Sequence, residues 1–246
     1  PDTEVARTDV RRMYSNIVEM DRRVGEIMAE LDSAGLLENT IIFWYTDHGG
    51  PLPRMKRTVY DAGIHSPMIV RFPQKQLAGA VDTQLLSFID LKPTTLSLVG
   101  IEPPDYIDGK AWMGLYADPT PRKYVFAAAD RFDNWTDKMR TVRDHRYKLI
   151  RYYNLDQPYY SPVKYRETMP IMQELLRLKA EDKLTEEQAL WFREIKDSIE
   201  FFDTWNDPNE LSNLAGDPTY ADKIQELRLA LNNWIRKTND RGMMPE

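Results

Sequence analysis

Cysteine is absent from the 246 residues. Its absence excludes disulfides, thiolate metal ligands and a cysteine nucleophile within them. Histidine is scarce, at 3 residues: His48, His65 and His145. No apolar run approaches the roughly 20 residues of a membrane-spanning helix, so no membrane span is expected. Net positive charge is lacking too. The balance of −6 argues against a general nucleic-acid binder, which needs a basic footprint, and no nucleic-acid partner is expected. An initiator methionine is missing, and the first residue is Pro1. The chain therefore reads as a processed or truncated product, and the lack of a secretion signal says nothing about compartment. What is present, 42% hydrophobic and 29% charged residues, is the composition of a globular protein.

Periodicity predicts a helix over residues 10–34. Val10, Met13, Ile17, Met20, Val24, Ile27 and Leu31 recur at three- and four-residue steps, and Gly35 closes the helix. Thr40 to Tyr45 is too short for a helix and too uniformly apolar for a half-exposed strand. It reads as a buried parallel strand, with Met68 to Phe72 as a second one. Leu91 to Val99 reads as a helix with Asp90 as N-cap, Pro93 in its first turn and Gly100 as its stop. Prolines and glycines cluster from Pro103 to Pro121. After them come candidate strands at Tyr124–Ala129, Met139–Arg143 and Tyr147–Tyr152, the last two joined by a turn at Asp144 to Arg146. Charged helices are expected over 168–181 and 186–197, the second opened by Thr185 and Gln188 in capping-box spacing. Glu200 to Thr204 reads as a further strand. A final helix starts at Asp217-Pro218, with Tyr220, Ile224, Leu227, Leu231 and Trp234 on one face.

The run "IIFWYTDHGG" (41–50) ends an apolar strand in Asp47, His48 and two glycines. Ligands of open α/β sheets sit beyond the carboxyl ends of the strands. A carboxylate and an imidazole placed there can bind a cation, and glycines let backbone approach closely. Taken alone, the dipeptide reads more readily as a capped turn and a surface histidine than as a cation site. Its surroundings change that weighting: "KRTVYDAG" (56–63) and "IHSPMIVRFP" (64–73) follow. Together these stretches resemble the sulfatase family of the alkaline-phosphatase-like superfamily. The helix "YSNIVEMDRRVGEIMAELDSAGLLENT" (14–40), the segment "SFIDLKPTTLSLVGIEPP" (87–104) and the segment "FFDTWNDPNELSNLAGDP" (201–218) are similar to further family landmarks, in family order. "RTVRDHRYKLIRYYN", "YYSPVKYRETMPIMQELL" and "NNWIRKTND" resemble the heparan N-sulfatase (sulfamidase) branch.

The resemblance implies an α/β fold. Residues 1–118 would be the C-terminal portion of the catalytic mixed α/β sheet domain. Residues 119–246 would be a smaller α+β subdomain with an antiparallel sheet and a C-terminal helix. It implies hydrolysis of a sulfate ester or sulfamate on a sulfated carbohydrate, dependent on formylglycine and a divalent metal, most often Ca2+. A phosphodiesterase or phosphonate hydrolase of the same superfamily, or a non-catalytic fragment, is the alternative reading. Asp47 and His48 fall on two metal ligands. His48 stands where many members carry Asn, and an imidazole suits zinc or manganese better than calcium. Lys56 falls on the family lysine that contacts the sulfate, where a fixed ammonium would stabilise charge developing on oxygen. Arg54 and Arg57 add positive charge that could steer an anion. Asp130, Arg131 and Asp133 follow a strand on a loop, as surface charge or as reach toward the sugar; of these, Arg131 is carried as a substrate-binding candidate beside Lys56 and Arg54. His65 is expected to be structural and His145 exposed in its turn.

The family nucleophile is missing. No Cys-x-Pro-x-Arg or Ser-x-Pro-x-Arg signature is present, and "YSPVKYR" (160–166) has its arginine too late. The Asp-Asp pair that supplies other metal ligands is missing as well. The chain therefore looks like the C-terminal half of a sulfatase that docks with an N-terminal half bearing the formylglycine. By itself it is expected to bind metal weakly, hydrolyse nothing and expose apolar surface. The family resemblance implies an extracytoplasmic location: periplasm, lysosome or secreted.

Overall fold

The structure, a computed structural model, describes residues 1–132 and 135–242. Asp133 lies outside them. Helix α1 spans Glu4–Ser33 and begins well before Val10, because Thr3 caps it: its Oγ1 accepts the Ala6 amide at 3.3 Å. The helix ends at Gly35 as its sequence signals. Gly35 has φ +68, and the Gly35 and Leu36 amides donate back to Asp32 O and Leu31 O, both at 2.9 Å. Much of the apolar stripe stays uncovered: Ile17 is 44% and Ile27 57% exposed.

Strand β1 (Ile42–Tyr45), helix α2 (Asp61–Ile64) and strand β2 (Met68–Arg71) follow. Here the expectation of buried parallel strands fails. β1 and β2 pair antiparallel, with Ile42 opposite Arg71 and Tyr45 opposite Met68. The connection stays at the end of the ribbon where β1 finishes, and one short helical turn provides no crossover to return the chain to the other end. Nor is the ribbon covered on both faces, since Tyr45 and Ile69 are exposed. Helix α3 (Leu91–Leu98) is found, but Asp90 does not cap it with its side chain. Asp90 instead completes a capping box with Ser87 one turn earlier. Its buried carboxylate also accepts the Lys110 amide at 2.8 Å and pairs with Arg122.

Strands β3 (Val125–Phe132), β4 (Trp135–Arg143), β5 (Tyr147–Tyr152) and β6 (Ile199–Asp203) form one antiparallel sheet in that order. The β4–β5 hairpin closes on Asp144, whose Oδ1 accepts the amides of Arg146 at 2.8 Å and Tyr147 at 2.6 Å. His145 is exposed in that turn. Between β5 and β6 lie α4 (Lys164–Glu167), α5 (Pro170–Ala180) and α6 (Glu186–Ala189). The expected helix over 186–197 stops early. The Thr185–Gln188 capping box forms, but a single 3-10 turn, Leu190–Phe192, then turns Trp191 and Phe192 into the core. Helix α7, Ala221–Lys237, ends the described fold.

Strand alternation divides the core in two. Val142, Leu149 and Phe201 face α7, where Leu227 and Leu231 meet them. Met139, Ile150, Tyr152 and Phe202 face the other way, onto Met172 and Leu175 of α5 and onto Trp191 and Phe192. Tyr220, Ile224 and Trp234 complete the α7 face as their spacing predicts, with Trp234 stacked on Phe126 at 5.2 Å. Buried Asp9 joins α1 to this unit by accepting the Ile171 amide at 2.8 Å, in the first turn of α5.

Leu231 is fully buried, so Leu231→Ala should cost about 2–5 kcal/mol, read as a lowered midpoint in urea unfolding. At the start of α7, Lys223, Tyr124 and Lys123 hold the Glu226 carboxyl down at about 2. A depressed folded-state value stabilises above the ordinary carboxylate range, and that contribution is lost as pH falls through it. Glu226→Gln should therefore lower the melting temperature at neutral pH and flatten its decline between about pH 4.5 and 2.

Candidate functional site

The segment between β1 and β2 carries the sequence-predicted chemistry. Its path depends on two glycines. A Cβ on Gly49 would lie 1.7 Å from Ala62 O, and one on Gly63 would lie 2.4 Å from Thr58 O. The Gly49 amide donates to Gly63 O at 2.8 Å, and the Lys56 amide to Gly50 O at 3.1 Å. Those contacts fold the segment back on itself and bring Lys56 near the Asp47–His48 end. Arg54 and Arg57 both have positive φ, 60 and 69. A non-glycine residue adopts that conformation only when its surroundings over-determine it.

Asp47 projects outward with 86% of its side chain exposed. His48 Nε2 lies 3.4 Å from Asp47 Oδ1. His48 Nδ1 sits 2.7 Å from Gly49 O; a hydrogen on Nδ1 donated there leaves the Nε2 lone pair beside the carboxylate. A backbone acceptor on the far ring nitrogen is the usual support of a metal-binding imidazole. The two donors suit a divalent cation in kind but not in number, since calcium takes six to eight oxygens. Among the described residues no group of three or more His, Asp or Glu could hold a metal. This chain by itself does not build the site.

Lys56 is half-buried. Its ammonium makes no hydrogen bond or ion pair among the described residues, so it remains available to an anion. Arg54 is differently placed. Its guanidinium lies 3.8 Å over the Tyr60 ring and donates to Asn209 O and Glu210 O, each at 2.7 Å. It fastens the segment to the loop after β6. Arg131 is exposed near the end of β3, opposite Thr136. His65 is exposed and ends α2, its amide donating to Asp61 O at 2.8 Å.

Sequence reasoning missed the group that anchors the whole segment. Asp61 accepts from Lys148 Nζ at 3.0 Å and from Arg143 Nε at 3.1 Å. Lys148 Nζ also lies 2.9 Å from Glu210 Oε1, with both side chains buried. The other oxygen of Glu210 accepts the Asp61 amide. Burial opposes the Asp61 charge, but Lys148 and Arg143 overcome it and hold the carboxyl below its usual range. Burial pushes the Glu210 carboxyl up, and Lys148 only partly offsets this. Beside it, Tyr60 and Tyr152 both donate to Glu200 Oε2 at 2.8 Å. A signal for Lys148 existed. On β5 it shares a face with Ile150 and Tyr152, and a lysine at an inward position needs a buried partner.

The chain is similar to known proteins in sequence and in fold. The family model described as sulfatase matches residues 1–101, and the one described as N-sulphoglucosamine sulphohydrolase, C-terminal, matches residues 54–161. The chain is 52% identical over 246 residues to an ulvan-active sulfatase of Formosa agariphila, a match covering 100% of this chain and 41% of that protein. It is 27% identical over 256 residues to human N-sulphoglucosamine sulphohydrolase, covering 98% of this chain and 50% of the human protein. It thus spans half or less of the length of these two relatives. In fold it is similar to a protein solved in complex with its substrate D-glucosamine-2-N,6-O-disulfate, at a TM-score of 0.63 and 22% identity, covering 93% of this chain and 41% of that one. The chain belongs to the sulfatase family and corresponds to the C-terminal part of its members.

Proposed function

We propose that this chain is the C-terminal part of a hydrolase that releases sulfate from a sulfated carbohydrate. Asp47 and His48 supply two ligands of its divalent cation, and Lys56 faces the sulfate oxygens. The observation that carries this reading is a contrast within one segment. Asp47 is exposed beside His48, and the Lys56 ammonium is unengaged among the described residues. Their neighbours Arg54, Tyr60 and Asp61 are held by Glu210 O, Glu200 and Lys148, all of them buried residues. A rigid support with its free donors and its free cation on one segment is the arrangement that electrostatic catalysis requires. Names of relatives support the substrate class: an ulvan-active sulfatase and an N-sulphoglucosamine sulphohydrolase. Whether the bond cleaved is an ester or a sulfamate follows from neither name.

The chain's own contribution is positioning and charge. Cleaving the bond to sulfur accumulates negative charge on the sulfate oxygens and on the departing atom. A lysine fixed beside them lowers that cost without reorganising at the moment of reaction. We place the formylglycine nucleophile and the remaining metal ligands in the part of the longer protein outside this sequence. We assign residues 1–118 to its catalytic domain and 119–246 to a C-terminal subdomain, and we expect it to act outside the cytoplasm.

In the full-length protein, Lys56→Ala should lower kcat for sulfate release by about a hundredfold. A change confined to KM would remove Lys56 from the transition state. Asp47→Ala should reduce bound metal measured by elemental analysis, and unchanged metal content would take Asp47 out of the site. Cleavage of a phosphonate ester in preference to an aryl sulfate would overturn the sulfatase reading in favour of phosphonate or phosphodiester hydrolysis.

A further inference from the structure

A cavity of about 30 Å³ lies against residues 57–60, which follow Lys56 in the chain. Its lining includes Thr58, Asp137 of β4, Tyr159, Arg166 and Trp191. Arg166 is only 8% exposed. Its guanidinium sits 5.1 Å over the Trp191 ring and makes one hydrogen bond among the described residues, from Nη1 to Ser161 O at 3.1 Å. No carboxylate pairs with it among the described residues. The adjacent Glu167 takes the Tyr160 hydroxyl at 2.7 Å instead. Asp137, the carboxylate on the cavity wall, is engaged by buried Lys196 at 2.5 Å. Burial disfavours the Arg166 charge, and the nearby Glu167 carboxylate only partly offsets this.

A buried guanidinium is ordinarily matched by carboxylates. Arg140 of the same sheet shows the ordinary solution, held by Asp130 and Asp240. Arg166 departs from it, with spare donors beside a cavity. A site with unspent guanidinium donors and aromatic walls is suited to a small oxyanion on a sugar ring. A water needs about 10–15 Å³ by the same kind of measure, so the space admits one compact group and not a whole sugar. We propose that Arg166 forms a subsite for a second anionic substituent of the substrate, a carboxylate or a further sulfate. Arg166 is then a specificity residue and takes no part in cleavage. The inference builds on the sulfatase reading above and narrows its substrate to carbohydrates carrying at least two anionic groups.

The test uses the full-length protein and Arg166→Gln, on an aryl sulfate and on three sulfated sugars. One sugar has no other charge, one carries a neighbouring carboxylate and one a second sulfate. The variant should raise KM about tenfold on whichever doubly charged sugar the subsite takes, because hydrogen bonds to charged groups contribute about 1.5–3 kcal/mol. On the aryl sulfate and the singly charged sugar, kcat and KM should stay within about twofold. Comparison of the carboxylate and disulfate arms identifies the group bound. An equal loss on all substrates, or no loss on any, would overturn the subsite. If thermal melting shows Arg166→Gln to be unfolded, Arg166→Lys replaces it, with the same selective rise expected at smaller size. If the wild type releases sulfate from nothing, the sulfatase reading falls. Calorimetric titration with sodium acetate and sodium sulfate then decides the subsite alone: binding by wild type that Arg166→Gln lacks sustains it, and no binding by wild type overturns it.

Discussion

The ion cluster of Lys148, Asp61, Glu210 and Arg143 is the constraint on which the rest of this structure depends. Lys148 is fully buried on the central strand β5 and has two carboxylates within 3.0 Å. One carboxylate comes from the segment between β1 and β2, the other from the loop after β6. Removing any member would leave its partners charged and out of water, a cost of several kcal/mol. Segments that lie far apart in sequence are thus bound to the sheet by charges that have nowhere else to go. Hydrophobic burial determines that the sheet has two covered faces. The cluster determines where the segment with Asp47, His48 and Lys56 stands relative to it.

That arrangement divides labour along a short stretch of chain. Arg54, Tyr60 and Asp61 face inward, each with a partner from the C-terminal half: backbone carbonyls for Arg54, Glu200 for Tyr60, Lys148 for Asp61. Asp47 and His48 face out. The glycines at 49 and 63 permit the backbone contacts that keep the two sets in register. A segment built this way has little freedom to follow a ligand, which suits a site that must present charge in a fixed geometry.

Much of the fold was legible because local rules and tertiary context agree. Strand β5 and its Asx turn, the Thr185 capping box, the Gly35 terminus and the α7 face all form as their residues indicate. Each depends on neighbours within a few positions. The misreadings share one cause, competition from distant contacts. Ile42 to Tyr45 has the composition of a covered parallel strand, yet its partner returns from the same end and the pairing is antiparallel. Asp90 has the type and position of an N-cap, but Ser87, Lys110 and Arg122 claim its oxygens. The helix after Thr185 breaks because Trp191 and Phe192 gain more in the core than they would on a solvated helix.

The sequence by itself determined the apolar spacing of α1 and α7, the Gly35 end of α1, strand β5 with its turn, and the presence of Asp47, His48 and Lys56 in one glycine-bounded segment. Those follow from spacing, side-chain shape and short-range hydrogen bonding. Only the tertiary structure decided that Arg54 is a fastener while Lys56 is unengaged among the described residues, that Lys148 joins Asp61 to Glu210, and that Arg166 lies buried beside a cavity without a carboxylate of its own among those residues. The reason is physical. A charged side chain is indistinguishable from its solvated neighbours until the fold removes water from it, and which chain segment then supplies the opposing charge is a long-range fact.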